Sequence, residues 1–287
     1  MAAWAVAAAL AALCLPAAAP AAAFSSVPPP DAPHDVITRE GAREAGWPEA
    51  SIDALREAVR RPDTDEIEWD PDVDDPLRID AGPEYQVRQH CDRYPGMDDQ
   101  QAFDDTVRFI ASARQGAASA AAAGDAGLAV ARMGRALHAL QDCFAHTNII
   151  DLPKDRQEAF VRALLSGEPA PIEGLLLAGF APGTDKPGEP EGDPYPHDTY
   201  AKDSAHKNEE SEARLPDGRT KYEAARDMAI NATAHVLREF LQGLGPEQRE
   251  ALGEVRPDPV PKRLPVPLSA FLAPGALVMA LAVRRAR

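Results

Sequence analysis

Apolar residues recur at intervals of three and four positions through most of the chain, whereas the alternating pattern of strands is scarce. In the last long segment of this kind, Tyr222, Ala225, Ala229 and Val236 fall on one helical face. The pattern predicts helices at His34–Gly46, Glu49–Arg61, Asp98–Ala123, Ala126–Thr147, Lys154–Leu165 and Arg219–Leu241. We therefore expect an all-α protein, built as a multi-helix bundle in a single domain.

Glycine and proline mark the breaks between these helices. Gly46-Trp47-Pro48 separates the first two helices. Gly124-Asp125 separates the third from the fourth, so these two should form an antiparallel hairpin. The proline-containing segments Pro62–Pro83 and Ala181–Pro196 are predicted to be loops.

The two ends of the chain differ in composition from the predicted helical domain, residues 24–245. Residues 1–23 are apolar and rich in alanine, with small residues before Phe24, which is typical of a signal peptide. A polar, proline-containing linker is predicted over 246–264. In the final segment, 265–287, an uncharged apolar run precedes a cluster of arginines, which is typical of a membrane anchor or sorting tail. We therefore expect an exported protein of the periplasm, the cell envelope or the extracellular space.

The formal net charge of −16 at pH 7 excludes some classes of function. No basic stripe interleaved with aromatic residues is visible, so we expect no stable complex with nucleic acid. The chain also has no Gly-x-Ser-x-Gly motif and no glycine-rich phosphate loop, so a serine esterase or a nucleoside-triphosphate enzyme is unsupported.

The most informative motif is His138-x3-Asp142-x3-His146 in the fourth predicted helix. Residues at i, i+4 and i+8 lie along one slowly drifting face of a helix. Imidazole and carboxylate groups are the ligand types that hold zinc in enzymes. The motif predicts metal binding, and the alternative is a pair of core histidines whose polar atoms are satisfied by Asp142.

Further candidate ligands are scattered along the chain and are His34, Asp63, His90, His197 and Asp203. The pair His206 and Glu210 also has a spacing that helical metal ligands use, although it lies in a very polar stretch. His235, near the end of the last predicted helix, is expected to have no role in a site.

The order of these motifs resembles that of the zinc-dependent phospholipase C superfamily, which includes single-strand-specific nucleases, and in particular its Het-C-like bacterial branch. The resemblance depends on His34 with Ile37-Thr38, Asp63, His90-Cys91-Asp92, the segment Gly134–Asn148, His197 with Lys202-Asp203, and the closing helix Ala224–Thr233. It covers about Asp31–Gly243. The C-terminal tail separately resembles the PEP-CTERM class of bacterial sorting signals, although Ser269 stands where a second proline is usual.

The resemblance implies an all-α bundle, of phospholipase C type, around two or three zinc ions. Asp63, His90, His138 and Asp142 would bind one ion. His146 and His197, with Asp203, would bind a second, and His34 would bind a third with Asp142 as a bridge. The spacing from Asp142 to His146 is shorter than the family has. The family also uses the N-terminal amine of a tryptophan as a ligand, whereas the predicted mature N-terminus here is Phe24, ten residues before His34.

The implied function is an exported, zinc-dependent phosphodiesterase of phospholipase C type, in which a metal-bound hydroxide attacks phosphorus. Asp63, which the sequence places on a loop, would be the general base. A phosphodiester, including phospholipid, would be the substrate, and the tail would associate with a membrane. The alternatives are a nuclease or phosphatase on the same metal core, or a non-enzymatic, metal-stabilised, Het-C-like interaction protein.

The resemblance also implies a disulfide. It places His90 and Asp142 on the same ion, which brings the adjacent Cys91 and Cys143 close together, and an exported protein is in an oxidising compartment. We therefore predict a Cys91–Cys143 disulfide. The alternatives are two small apolar residues that point apart, or one cysteine acting as an additional ligand.

Overall fold

Helices form the regular structure of the residues that the computed structural model describes, which are 32–64, 83–93, 96–179, 195, 197–205 and 208–257. The α-helices are α1 Pro33–Ala45, α2 Ile52–Thr64, α3 Pro83–His90, α4 Asp99–Ala122, α5 Ala126–Ala145, α6 Lys154–Ser166, α7 His197–Tyr200, α8 Glu209–Glu212, α9 Lys221–Gln242 and α10 Pro246–Glu254. Short 3-10 helices lie at Glu49–Ser51 and Ile149–Asp151. The expectation of an all-α fold is confirmed for these residues, which contain isolated bridges and no strand.

The central element of the bundle is α5, which is surrounded by other helices. Every residue from Met133 to Ala145 is buried, because α2, α4 and α9 pack around it, with α1, α3 and α10 also in contact. Over this stretch α5 therefore buries all of its faces and not only one apolar stripe. The polar side chains of α5 are therefore buried with it, and each of them needs a partner.

Helix ends follow local sequence cues. Asp98 caps α4 by accepting hydrogen bonds from the backbone N–H groups of Gln100 and Gln101. Asp125 caps α5 through the N–H of Leu128, and Gly124, with a φ of 83°, makes the sharp turn between the two helices. The predicted α4–α5 hairpin is formed in this way.

Two glycines allow helices to approach closely. A Cβ atom added at Gly134 of α5 would lie 2.4 Å from the Cβ of Ala58 and 2.8 Å from its carbonyl oxygen on α2. A Cβ added at Gly41 of α1 would lie 2.7 Å from Cγ2 of Thr233 on α9. At both positions glycine allows two helices to approach more closely than a larger residue would.

Several boundaries differ from the sequence prediction. Pro62 lies inside α2 instead of starting a loop, although its ring has no N–H to donate to the Ala58 carbonyl. The helix α3 was not predicted at all. The linker predicted over 246–264 is wrong for its first part, because Pro246–Glu254 is helical and Leu252 is fully buried. Proline at the first position of a helix favours this start.

Other predictions fall on residues outside those described. These are the signal peptide at 1–23, the tail at 265–287, the rest of the linker from 258 onward, and nearly all of the loops at Pro62–Pro83 and Ala181–Pro196. Among the described helices, none combines the length and the apolar character needed to cross a membrane.

Candidate metal centre

Five candidate ligands from four helices meet beside α5, and we call them the first cluster. They are His34 from α1, Asp63 from α2, His90 from α3, and His138 and Asp142 from α5. Their side chains are buried, except that the side chain of His90 is 21% exposed. Solvent therefore reaches the cluster most easily at His90.

Four donor atoms of the first cluster lie close to one another. Nε2 of His138 lies 3.0 Å from Nδ1 of His90, and Oδ2 of Asp142 lies 3.1 Å from the former and 3.3 Å from the latter. Oδ1 of Asp63 lies 3.6 Å from His138 and 3.7 Å from His90. Zinc–ligand bonds of about 2.0–2.2 Å in a tetrahedron separate the ligands by about 3.3–3.6 Å. These five distances are close to that spacing, so this side of the cluster could hold a zinc-sized ion.

The remaining oxygens of the two carboxylates face His34. Nε2 of His34 lies 3.1 Å from Oδ1 of Asp142 and 3.9 Å from Oδ2 of Asp63. Each carboxylate thus presents one oxygen to the His90–His138 side and the other to the His34 side. Oδ1 of Asp142 makes no hydrogen bond despite its complete burial, which fits an oxygen that would coordinate a second ion.

The imidazoles are oriented by contacts on the side away from the cluster. Nδ1 of His138 lies 2.9 Å from the carbonyl oxygen of Val59, which can only accept, so Nδ1 carries the proton and Nε2 faces the cluster with a lone pair. Nδ1 of His34 lies 2.7 Å from Oε1 of Gln141, whose Nε2 donates to Thr38 and Thr233. Metal-binding histidines usually have such a partner on the ring nitrogen that does not face the metal. If these were ordinary core histidines, their other ring nitrogens would not need to point towards the same carboxylates.

Protons compete for the first cluster when no cation is bound. Burial lowers the pKa of His34, but the charges of Asp142 and Asp63 outweigh it and raise the pKa to about 9. Burial also opposes the charged form of His90, yet its hydrogen bond with Asp142 raises the pKa. Burial alone would raise the pKa of Asp142, but the neighbouring His138 and His34 hold it well below its usual range. Asp142 is therefore ionised and attracts a cation.

A second cluster lies beyond the end of α5 and contains Asp92, His146, His197 and Asp203. Nε2 of His146 lies 3.1 Å from Nε2 of His197 and 3.2 Å from Oδ1 of Asp203. Nδ1 of His146 lies 2.7 Å from Oδ1 of Asp92 and donates to the carbonyl oxygen of His90 at 2.7 Å. Donor atoms of Asp92, His146 and His197 all lie within 4.8 Å of one another, so this group also could hold a metal ion.

The second cluster is held together by the chain segments around the end of α5. The buried ammonium of Lys202 donates to the carbonyl oxygen of Thr147 at 2.7 Å, and the Lys202 backbone N–H donates to Ala145. These two hydrogen bonds of Lys202 hold the adjacent Asp203 beside His146. Burial disfavours a protonated His146, but the carboxylates of Asp92 and Asp203 raise its pKa well above its usual range.

The tripeptide His90-Cys91-Asp92 joins the two clusters. The imidazole of His90 belongs to the first cluster, while its carbonyl oxygen and the carboxylate of Asp92 contact His146 in the second. Between them, Cys91 forms a disulfide with Cys143, with the two Cα atoms 5.1 Å apart. The predicted disulfide is confirmed, and both cysteines are fully buried.

The structure places each of the eight predicted ligands in one of the two clusters. The first contains His34, Asp63, His90, His138 and Asp142, and the second contains His146, His197 and Asp203. The placement of Asp63 on a loop was wrong, because it lies in the last turn of α2. Asp92 was missed as a cluster member. Its proximity to His90 was the available signal, but nothing in the sequence shows that neighbouring residues point to different clusters.

The remaining acidic and histidine candidates lie elsewhere. Glu210 pairs with Lys221 at 2.7 Å, and its proposed partner His206 lies outside the described residues. His235 pairs with Glu239 on the exposed face of α9, as expected for a residue outside the site. An open groove of about 670 Å³ between α6 and α9, which includes His235, contains no cluster residue.

No family model, no curated protein and no solved structure matches this chain. The interpretation of the two clusters therefore depends on their own chemistry.

Proposed function

We propose that the protein is an exported, zinc-dependent hydrolase of phosphodiesters, with the first cluster as its reaction centre and the second cluster as a further metal site. The observation that carries this proposal is the position of Asp63 and Asp142. Each of these carboxylates faces His90 and His138 with one oxygen and His34 with the other. Paired metal sites bridged by carboxylates are typical of enzymes that displace phosphoryl groups.

The donor set supports zinc among the divalent metals. Three imidazoles with two carboxylates combine the nitrogen and oxygen ligands that zinc accepts, whereas magnesium and calcium prefer oxygen alone. When bound, zinc in such a centre lowers the pKa of a water molecule and neutralises charge on phosphoryl oxygens.

The chain's own residues orient and hold this centre. Gln141 and the Val59 carbonyl fix the imidazoles of His34 and His138, so that little reorganisation is needed when a charged substrate arrives. His90 is the most solvent-accessible ligand, and we expect the substrate to approach on its side. Asp63 is better assigned as a bridging ligand than as the general base, because both of its oxygens face histidines and its side chain is 2% exposed.

Phospholipid is the substrate class that we favour, since the predicted export signal and C-terminal tail would place the protein near a membrane. A net charge of −16 disfavours binding of a nucleic acid polymer. Nuclease and phosphatase activity remain the close alternatives, because the same centre would serve all three reactions.

A non-enzymatic role is the second candidate, and burial favours it. His34, His138, Asp142 and His146 are fully buried, and closed metal sites with four protein ligands are typically structural. In that case the clusters would stabilise an exported interaction protein of the kind that the Het-C-like resemblance suggests.

One experiment separates these functions. The full-length protein is purified and its metals are quantified, and it is then assayed with bis(p-nitrophenyl) phosphate, p-nitrophenyl phosphate, short-chain phosphatidylcholine and single-stranded DNA. We expect at least two zinc ions per chain and hydrolysis of a phosphodiester that is lost on chelation and restored by zinc. Asp142→Asn should abolish it, and His235→Gln should have no effect.

The pattern of hydrolysis identifies the substrate class, with phosphatidylcholine favoured over single-stranded DNA and the monoester. Bound zinc without hydrolysis of any of the four substrates would contradict the enzymatic proposal and favour the structural role. A protein that binds no divalent metal under these conditions would contradict both.

A further inference from the structure

The backbone at Cys91 has a conformation that side chains rarely adopt. Its φ is 52°, and every other described residue with a positive φ is a glycine. In this left-handed region the Cβ atom crowds the backbone, which disfavours every residue except glycine. Asn and Asp tolerate it better than other residues because their side chains can form a local hydrogen bond, which cysteine does not do. Such an outlier persists only where the surroundings hold it.

The conformation has a clear consequence for the neighbouring side chains. It turns the chain sharply between His90 and Asp92, immediately after α3 ends at His90. As a result His90 faces His138 and Asp142, while Asp92 faces His146. The turn also directs the His90 carbonyl oxygen at the imidazole Nδ1–H of His146. One unusual residue therefore sends adjacent polar groups to two different clusters.

The disulfide is the bond that fixes this turn to the central helix. Cys143 immediately follows Asp142, a ligand of the first cluster, and lies one helical turn before His146 of the second. Cys91 and Cys143 are both fully buried. Non-covalent contacts also hold the turn. The Asp92 N–H donates to the Val87 carbonyl, the Arg93 N–H donates to the Ala178 carbonyl, and His146 contacts both His90 and Asp92.

We propose that the Cys91–Cys143 disulfide is a positioning element for both clusters, which holds Cys91 in the left-handed conformation and so determines metal affinity. Reduction of the disulfide lowers the affinity for zinc and makes metal occupancy dependent on the redox state of the compartment. The proposal rests on the metal-binding part of the proposed function and does not depend on hydrolysis.

The redox step uses a phosphine reductant in the test. The phosphine attacks one sulfur and the Sγ–Sγ bond breaks. Water then supplies the oxygen of the phosphine oxide and one proton to each sulfur, so Cys91 and Cys143 become free thiols. Two electrons pass from phosphorus to the disulfide. Free thiols are zinc ligands themselves, so variants without thiols are also needed.

The experiment measures zinc transfer from the full-length, zinc-loaded protein to a chromogenic chelator. Four samples are compared with the oxidised protein: the protein treated with the phosphine, C91A/C143A, C91G/C143A, and Leu252→Ala as a control. Leu252 is fully buried on α10, so its truncation lowers stability without touching the tripeptide. Circular dichroism checks that the helices remain.

We expect C91A/C143A and the reduced protein to hold zinc at least tenfold more weakly than the oxidised protein. We expect C91G/C143A to regain much of that loss, because glycine adopts a φ near 52° without steric cost. Leu252→Ala should melt at a lower temperature and keep its zinc affinity.

Full zinc affinity in both C91A/C143A and the reduced protein would overturn the proposal. Equal loss in the alanine and glycine variants would also overturn it, because the disulfide would then act by another route than the conformation of Cys91. If C91A/C143A does not fold, the reduced protein and C91G/C143A decide the result. An oxidised protein that binds no zinc would instead refute the proposed function.

Discussion

Nε2 of His34 lies 3.1 Å from Oδ1 of Asp142, although α1 and α5 are far apart in the sequence. The other oxygen of the same carboxylate lies 3.1 Å from Nε2 of His138. The side chain of Asp142 therefore lies between two potential metal positions. Replacing Asp142 should affect both positions, whereas replacing His34 should affect one.

The first prediction concerns the number of bound ions. His34→Gln should remove the ion on the His34 side and leave the one held by His90 and His138. Asp142→Asn should remove both, since the amide has lost the charge that both positions share. Metal analysis after gel filtration measures this, with His235→Gln as the control. Equal stoichiometry in the two variants would contradict the bridging role of Asp142.

The second prediction concerns pH. In the chelated protein, the pKa of His34 is raised from 6.5 to about 9, so its contribution to stability is complete below pH 6.5 and is lost as the pH rises through 9. We expect the free energy of unfolding to fall by at least about 1 kcal/mol per pH unit between pH 7 and 8. His146, whose pKa is also raised, adds to this slope.

Urea denaturation at several pH values measures this slope. Lys202, whose pKa is lowered to about 8, contributes increasingly in the opposite direction as the pH approaches and passes 8, so the test stays below that value. His34→Gln should flatten the slope, and so should zinc, because the ion displaces the proton. A chelated protein whose stability rises over this range would contradict the proposed charge state of His34.

The third prediction concerns the contact between α2 and α5. Gly134→Ala would place a methyl group 2.4 Å from Cβ of Ala58, so the helices must separate. We expect a loss of about 1–3 kcal/mol in stability and weaker zinc binding, because α2 carries Asp63. Thermal melting and chelator competition measure the two effects.

Gly127→Ala is the matched control on the same helix. Its added methyl group would meet no atom closer than 3.7 Å, and alanine is the better helix former by up to about 1 kcal/mol. Stability should stay the same or rise, and zinc affinity should not change. If both glycine variants behaved alike, close packing at Gly134 would not position Asp63.

The fourth prediction concerns the tail. The compact unit ends at Pro257, so a chain that stops there should keep its melting temperature and its metal content. Because the apolar run of residues 266–283 is missing, it should also leave the membrane fraction of the cell. Cell fractionation of the full-length and shortened proteins tests this, and a full-length protein that is entirely soluble would contradict the anchor.

Much of the fold could be predicted from the helical periodicity of apolar residues in the sequence. The six predicted helices are present within a few residues of their expected ends, because their apolar faces and the caps at Gly46 and Asp125 are local properties. The helix α10 and the continuation of α2 through Pro62 were not predicted, since both depend on contacts with distant residues. In α10, for example, Leu252 is fully buried.

The sequence by itself determined the helices, the ligand types and the alignment of His138 with Asp142 on one face of α5. Helical periodicity did not determine how the ligands divide between the two clusters. Each step of four residues rotates about 40° beyond a full helical turn, and α5 ends at Ala145, so His146 faces the second cluster. Only the tertiary structure placed Asp92 beside His146, because the turn at Cys91 is held by a disulfide to another helix. Local patterns report which face of a helix is buried, whereas the meeting of side chains from separate helices depends on how closely those helices pack.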